Sequence, residues 1–158
     1  MKILVIGAPK TGKTRFANKL ARENNIKLFD RLPQKFIKKT DLALGEICDY
    51  RADFIFVSDI LQLEYKNKEQ DYIITAGPLY SYCHFLYKAN FTDPSEKTFE
   101  YLWIMMTMSK IALDSLWYDD IYYIPYKKED DTFSFYMDQA IKKTIKEFAL
   151  ERKIKTIE

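Results

Sequence analysis

An α/β domain built on a parallel sheet is what the sequence predicts, and three observations carry the prediction. Residues 3–6 form an uninterrupted apolar run rich in β-branched side chains, the composition of a strand covered on both faces. Short runs of similar kind recur at 26–29, 72–75 and 120–125, with helical patterns between them. The chain has 158 residues, 47% of them apolar, and shows no internal repeat, low-complexity segment or linker. One domain over 1–158 is therefore expected, burying roughly two-thirds of the surface its unfolded chain exposes.

The first run is the most informative. Gly7 closes it, Gly12 follows, and Lys13 and Thr14 stand directly behind. The spacing Gly7-x-x-x-x-Gly12-Lys13-Thr14, between a strand and a helix, is that of a phosphate-binding loop. A triphosphate needs many donors close together, so such a loop turns its backbone N–H groups inward, which glycines permit. The following helix aims its N-terminus at the same anion. On this reading the cradle is Gly7, Ala8, Pro9, Lys10, Thr11, Gly12, Lys13, Thr14 and Arg15. Lys13 reaches the β- and γ-phosphates of ATP, and the Thr14 hydroxyl holds Mg²⁺. The bland alternative, a glycine turn in an ordinary strand–turn–helix unit, leaves the filling of all four fixed positions unexplained.

Composition excludes several other classes. With 25 basic and 23 acidic residues and no basic stripe, nucleic acid and membrane surfaces are not expected partners. No run is long enough to span a membrane, and residues 3–6 are too short for a secretory signal. Cys48 and Cys83 lack metal-site or disulfide-framework spacing and read as reduced thiols of a cytoplasmic protein. The single histidine, His84, leaves no histidine-rich metal centre. Only 4 glycines serve the whole chain, so two within one loop are a notable expenditure.

Taken in order, a helix over 13–24 stops at Asn24-Asn25, and a strand over 26–29 ends in Asp30-Arg31. Pro33 is expected to block an immediate helix, leaving 34–40 as a basic loop. Residues 52–67 fit two patterns. A strand would end at Ser58-Asp59; a helix accounts for more of the apolar positions and is preferred, with Glu64 and Lys68 paired on its wet side. The strand over 72–75 is closed by Ala76-Gly77-Pro78, and an aromatic-rich helix covers 79–89. Ser95 or Asp93 caps a long helix running to 117, with Phe99, Leu102, Met106, Ile111 and Leu113 inward. Met105, Met106 and Met108 read as core filling. A strand over 120–125, a polar loop or lid over 126–135, a helix over 136–150 and an edge strand over 153–157 complete the chain.

The order of these features resembles the P-loop nucleoside and nucleotide kinases, in particular small domains related to ribosylnicotinamide kinases and found also in phages. The shared marks are Asp30 after the second strand, Gln62-Leu63-Glu64, and the Gly77-Pro78-Leu79 turn. They continue with Tyr123-x-Pro125, the Asp130-Asp131 lid, and a helix with Gln139 and Ile141. The resemblance implies a three-layer P-loop NTPase fold, a five-stranded parallel sheet of order 2-3-1-4-5, and an acceptor bound between the second and third strands. In that family Asp-Arg usually closes the third strand and the lid offers arginine. Thr75-Ala76 and Lys127-Lys128 stand there instead, and lysine lacks the planar fork of arginine.

Asp30 is the first candidate for the catalytic base beside Lys13, since ligands bind at strand ends in open α/β sheets and an acceptor hydroxyl must lose a proton. Its competing role is an N-cap or an ion pair with Arg31. Asp59 is a candidate only if 54–58 is a strand. Thr75 could position a water on the metal. Tyr80, Tyr82, Phe85 and Tyr87, with His84, either stack on a base or pack the helix onto the sheet, and packing is the preferred reading. The expected activity is transfer of the γ-phosphoryl group of ATP to a nucleoside or nucleotide. The alternative is a nucleotide-binding or regulatory protein that lost the chemistry, or an ATPase without a small-molecule acceptor. The sequence is compatible with a monomer or a homodimer.

Overall fold

A computed structural model describes residues 1–46, 50–128 and 130–158. Five parallel strands form one sheet in the order β2-β3-β1-β4-β5. They are β1 (Lys2–Gly7), β2 (Lys27–Phe29), β3 (Tyr72–Thr75), β4 (Asp120–Ile124) and β5 (Ile154–Thr156). Alternation along β1 sets the layers, since successive side chains point to opposite faces. Ile3 and Val5 pack with Ala17 and Ala21 of α1 (Lys13–Asn24). Leu4 and Ile6 pack on the other face with Phe56, Val57 and Ile60 of α3 (Arg51–Lys66) and with Met137 and Ile141 of α6 (Thr132–Glu147). Strand order and layering agree with the arrangement that the resemblance implied, and 51–66 is a helix, which removes the strand alternative.

Four local expectations are corrected. Residues 32–40 are not a loop but α2 (Leu32–Thr40), with Pro33 in its first turn. Proline is tolerated there because the first-turn N–H groups have no intrahelical partner in any case. The aromatic segment is divided: a 3₁₀ turn (Gly77–Leu79), α4 (Tyr80–Tyr87) and a π turn (Lys88–Thr92). α6 begins at Thr132 rather than 136, because the Asp131 carboxylate accepts from the backbone N–H of Ser134 at 3.1 Å and caps it. Glu64 is not on a wet face. It is buried, and the hydroxyls of Tyr72 and Tyr118 donate to its two oxygens at 2.9 and 2.8 Å. Burial raises its carboxyl above the ordinary range, against the pull of those two donors.

The long helix α5 (Glu96–Ser115) is capped by Ser95 as expected, its side chain accepting from the Thr98 N–H. Its inward face differs from the expected one. Thr98, Met105, Ser109, Ala112 and Leu113 are buried, whereas Phe99 and Ile111 are 51% and 61% exposed. Met106 and Met108 are half-buried. α6 is tied to β4 by Asp138, whose carboxylate accepts from the Tyr123 hydroxyl and from the Tyr126 N–H and pairs with Lys142. Among the described residues no helix is long and apolar enough to cross a membrane.

Candidate functional site

A cavity of about 530 Å³ opens at the carboxyl ends of β1 and β3, lined by residues 6–14 on one side. Local geometry explains the two glycines differently. Gly12 takes φ +85° as the N-cap of α1, a left-handed conformation that favours glycine. Gly7 is fixed by crowding instead: a Cβ there would lie 2.9 Å from the backbone oxygen of Ile124 in β4. Between them the Thr11 hydroxyl donates to the Ala8 carbonyl at 2.8 Å, folding the loop on itself. Lys13 donates to the Gly7 carbonyl at 3.1 Å. Burial lowers the Lys13 ammonium below its ordinary value, and the nearby charge of Asp30 acts in the opposite direction. A desolvated ammonium at a helix N-terminus suits a polyphosphate.

Of the predicted cradle, residues 7–14 all line the cavity, and Arg15 does not: it is exposed on α1. Lys10 is exposed, has φ +63°, and its Nζ lies 3.5 Å from Asp131 at the start of α6. Asp30 lines the cavity across from the loop and accepts from the Thr75 hydroxyl at 2.5 Å. It is neither an N-cap nor paired with Arg31 among the described residues. Asp59 is exposed on α3 and lies outside the cavity, as do Lys127 and Lys128.

The far wall comes from distant elements. Tyr80 and His84 of α4 lie with ring centroids 4.7 Å apart, and Phe133 of α6 lies 5.9 Å from His84. Met137, Ile141 and Thr144 extend this wall. Burial, and secondarily Lys88, pushes His84 down to about 4, so its imidazole is neutral at neutral pH. Tyr82 and Phe85 are buried and Tyr87 packs edge-on against Phe133, so packing is their role. Cys83 also lines the cavity. Its Sγ lies 3.4 Å from the Thr144 hydroxyl, and burial pushes its thiol up to about 11. Cys48 lies outside the described residues.

Gln34, Phe133, Met137 and Thr144 were not singled out from sequence, whereas Ile141 was named only as a mark of the resemblance and Arg31 only as a partner for Asp30. For Phe133 a signal existed: Asp131 is an N-cap residue type, and a helix opened by it carries Phe133 out of the loop. Backbone strain also gathers here, since Lys10, Arg31 and Ala76 all line the cavity with φ of 63°, 54° and 64°.

The donor fits magnesium: Thr14 lines the cavity at the first turn of α1, half-buried, and its hydroxyl can supply one protein oxygen. Mg²⁺ characteristically takes only one or two protein oxygens and completes its shell with phosphate and water. No group of three or more His, Cys, Asp or Glu that could hold a metal occurs among the described residues.

No protein-family model and no curated protein matches the chain. Solved structures do. The NadR protein in complex with NR aligns with 98% of this chain at TM-score 0.74 and 15% identity. The deoxyadenosine kinase of M. mycoides with bound dATP aligns with all of it at TM-score 0.67 and 12% identity. The chain has the P-loop kinase fold. Thymidylate kinase from Candida albicans, at TM-score 0.62 and 14% identity over 99% of the chain, shares it. The chain spans 43% of the length of the NadR protein, 91% of the deoxyadenosine kinase and 82% of the thymidylate kinase.

Proposed function

We propose that this P-loop kinase-fold protein transfers the γ-phosphoryl group of ATP to a nucleoside or nucleotide. The observation that carries the proposal is the shared cavity: residues 7–14 with Lys13, the carboxylate-bearing Asp30, and the aromatic Tyr80, His84 and Phe133 all line it. The loop and Lys13 grip the phosphates. The acceptor rests against Tyr80, His84 and Phe133, where a planar ring gains about 1–3 kcal/mol by stacking. Asp30 takes the proton of the acceptor hydroxyl as that oxygen bonds to the γ-phosphorus. The bond from the γ-phosphorus to the β,γ-bridging oxygen breaks, and ADP leaves. Thr14 would hold Mg²⁺, which supplies neutralisation of phosphate charge when bound.

The test is ADP release from ATP across a panel of nucleosides and nucleoside monophosphates. Turnover that depends on one acceptor and is lost in Asp30→Asn is the expected outcome. Tight ATP binding that is lost in Lys13→Ala, with wild-type turnover no faster than that variant's, would instead identify a nucleotide-binding protein without the chemistry. The exposed Lys127 and Lys128, outside the cavity, are the observation favouring that second reading.

A further inference from the structure

We propose that Thr75 is a positioning residue for Asp30: its hydroxyl fixes one carboxylate oxygen so that the other is presented to the acceptor. The inference rests on the reading of Asp30 as the proton acceptor. The pairing of β2 with β3 runs Lys27 with Tyr72, Leu28 with Ile73 and Phe29 with Ile74, so the next step brings Asp30 beside Thr75. The strand ends there and supplies no further ladder to hold the acid. Thr75 supplies the hold: it is 2% exposed, and its Oγ1 donates to Oδ1 of Asp30 at 2.5 Å. Among the described residues Oδ2 takes no hydrogen bond or ion pair, and it remains for a ligand.

Thr75 is itself rigidly placed. It pairs with Val5 of the central strand, and its β-branched side chain has few rotamers. Directly behind it Ala76 takes φ 64° and ψ −48°, turning the chain sharply away from the sheet. The hydroxyl proton is spent on the carboxylate, so Thr75 acts through Asp30. Loss of the hydroxyl should therefore lower the rate of phosphoryl transfer while ATP still binds normally.

The experiment measures kcat and the ATP KM with a mixture of the common ribo- and deoxyribonucleosides and their monophosphates as acceptors. Thr75→Val, which keeps the shape and removes the hydroxyl, should lower kcat at least about tenfold with the ATP KM unchanged within about twofold. Thr75→Ser should restore most of the rate. In an Asp30→Asn background, Thr75→Val should add no further loss, because the carboxylate it orients is gone. Thr75→Ala replaces the valine variant if the latter does not fold, and failure of both to fold would mark Thr75 as a framework residue and overturn the proposal. Wild-type kcat in Thr75→Val, with turnover lost in Asp30→Asn, overturns the positioning role and leaves the kinase reading standing. An equal additional loss in both backgrounds also overturns it. Wild-type turnover in Asp30→Asn, or no acceptor-dependent turnover in the wild type, removes both readings together.

Discussion

The two halves of the cavity are built in opposite ways. The phosphate side is one contiguous stretch, residues 6–14, whose shape follows from local rules: a strand end, a left-handed Gly12 and a helix start. The far side is assembled from distant elements, with Asp30 after β2, Gln34 on α2, Thr75 at the end of β3, His84 on α4 and Phe133 on α6. A contiguous site depends on a few residues that cannot be exchanged. A dispersed one depends on the packing of helices, where single changes are shared among neighbours.

The largest effect should come from the contiguous half. Lys13→Ala is expected to lower acceptor-dependent turnover by about 100-fold or more and to weaken ATP binding, followed by ADP release and calorimetry. A loss of less than about fivefold would contradict the difference between the halves. Next, Gly7→Ala places a methyl group 2.9 Å from a backbone oxygen that cannot swing aside. It should cost about 2 kcal/mol of stability, read from the urea midpoint. On the dispersed half, Phe133→Ala should raise the acceptor KM by about tenfold and leave the ATP KM within about twofold. An equal rise in both would show that the two sides do not act separately.

The smallest effect is a pH dependence. His84 titrates near 4 in the folded protein against an ordinary 6.5, so between these values the unfolded chain binds the extra proton. Its neutral burial therefore supports folding fully above about pH 6.5, and that support is lost as pH falls toward 4. His84→Gln should show a smaller drop in Tm from pH 7 to pH 4.5 than the wild type, by the equivalent of about 1–3 kcal/mol. Identical drops would mean that His84 is freely protonated in the fold.

The same contrast governs what could be read from sequence. The loop at 7–14, the strands and the helix at 51–66 were legible because each is written in consecutive residues or in a clear period. The expectations that failed depended on partners far along the chain. Glu64 has the spacing of a wet-face residue, yet Tyr72 and Tyr118, brought in by the sheet and by the end of α5, make its burial tolerable. The inward face of α5 is set by what lies against it: Met105 packs with Tyr82, Phe85 and Leu86 of α4, and Thr98, Ser109, Ala112 and Leu113 are buried, whereas Phe99 and Ile111 turn outward. α2 was missed for a local reason, the treatment of Pro33 as a breaker where a first-turn proline is harmless. Asp30 was legible as a candidate, but its contact with Thr75, 45 positions away, required the register of the sheet.

The strand order also works as a ruler. Because β3 lies between β1 and β2, the end of β1 and the end of β2 are held two inter-strand spacings apart, about 10 Å. That gap is set by backbone ladders and not by loop sequence, so drift in the loops can retune what fills it without changing its width.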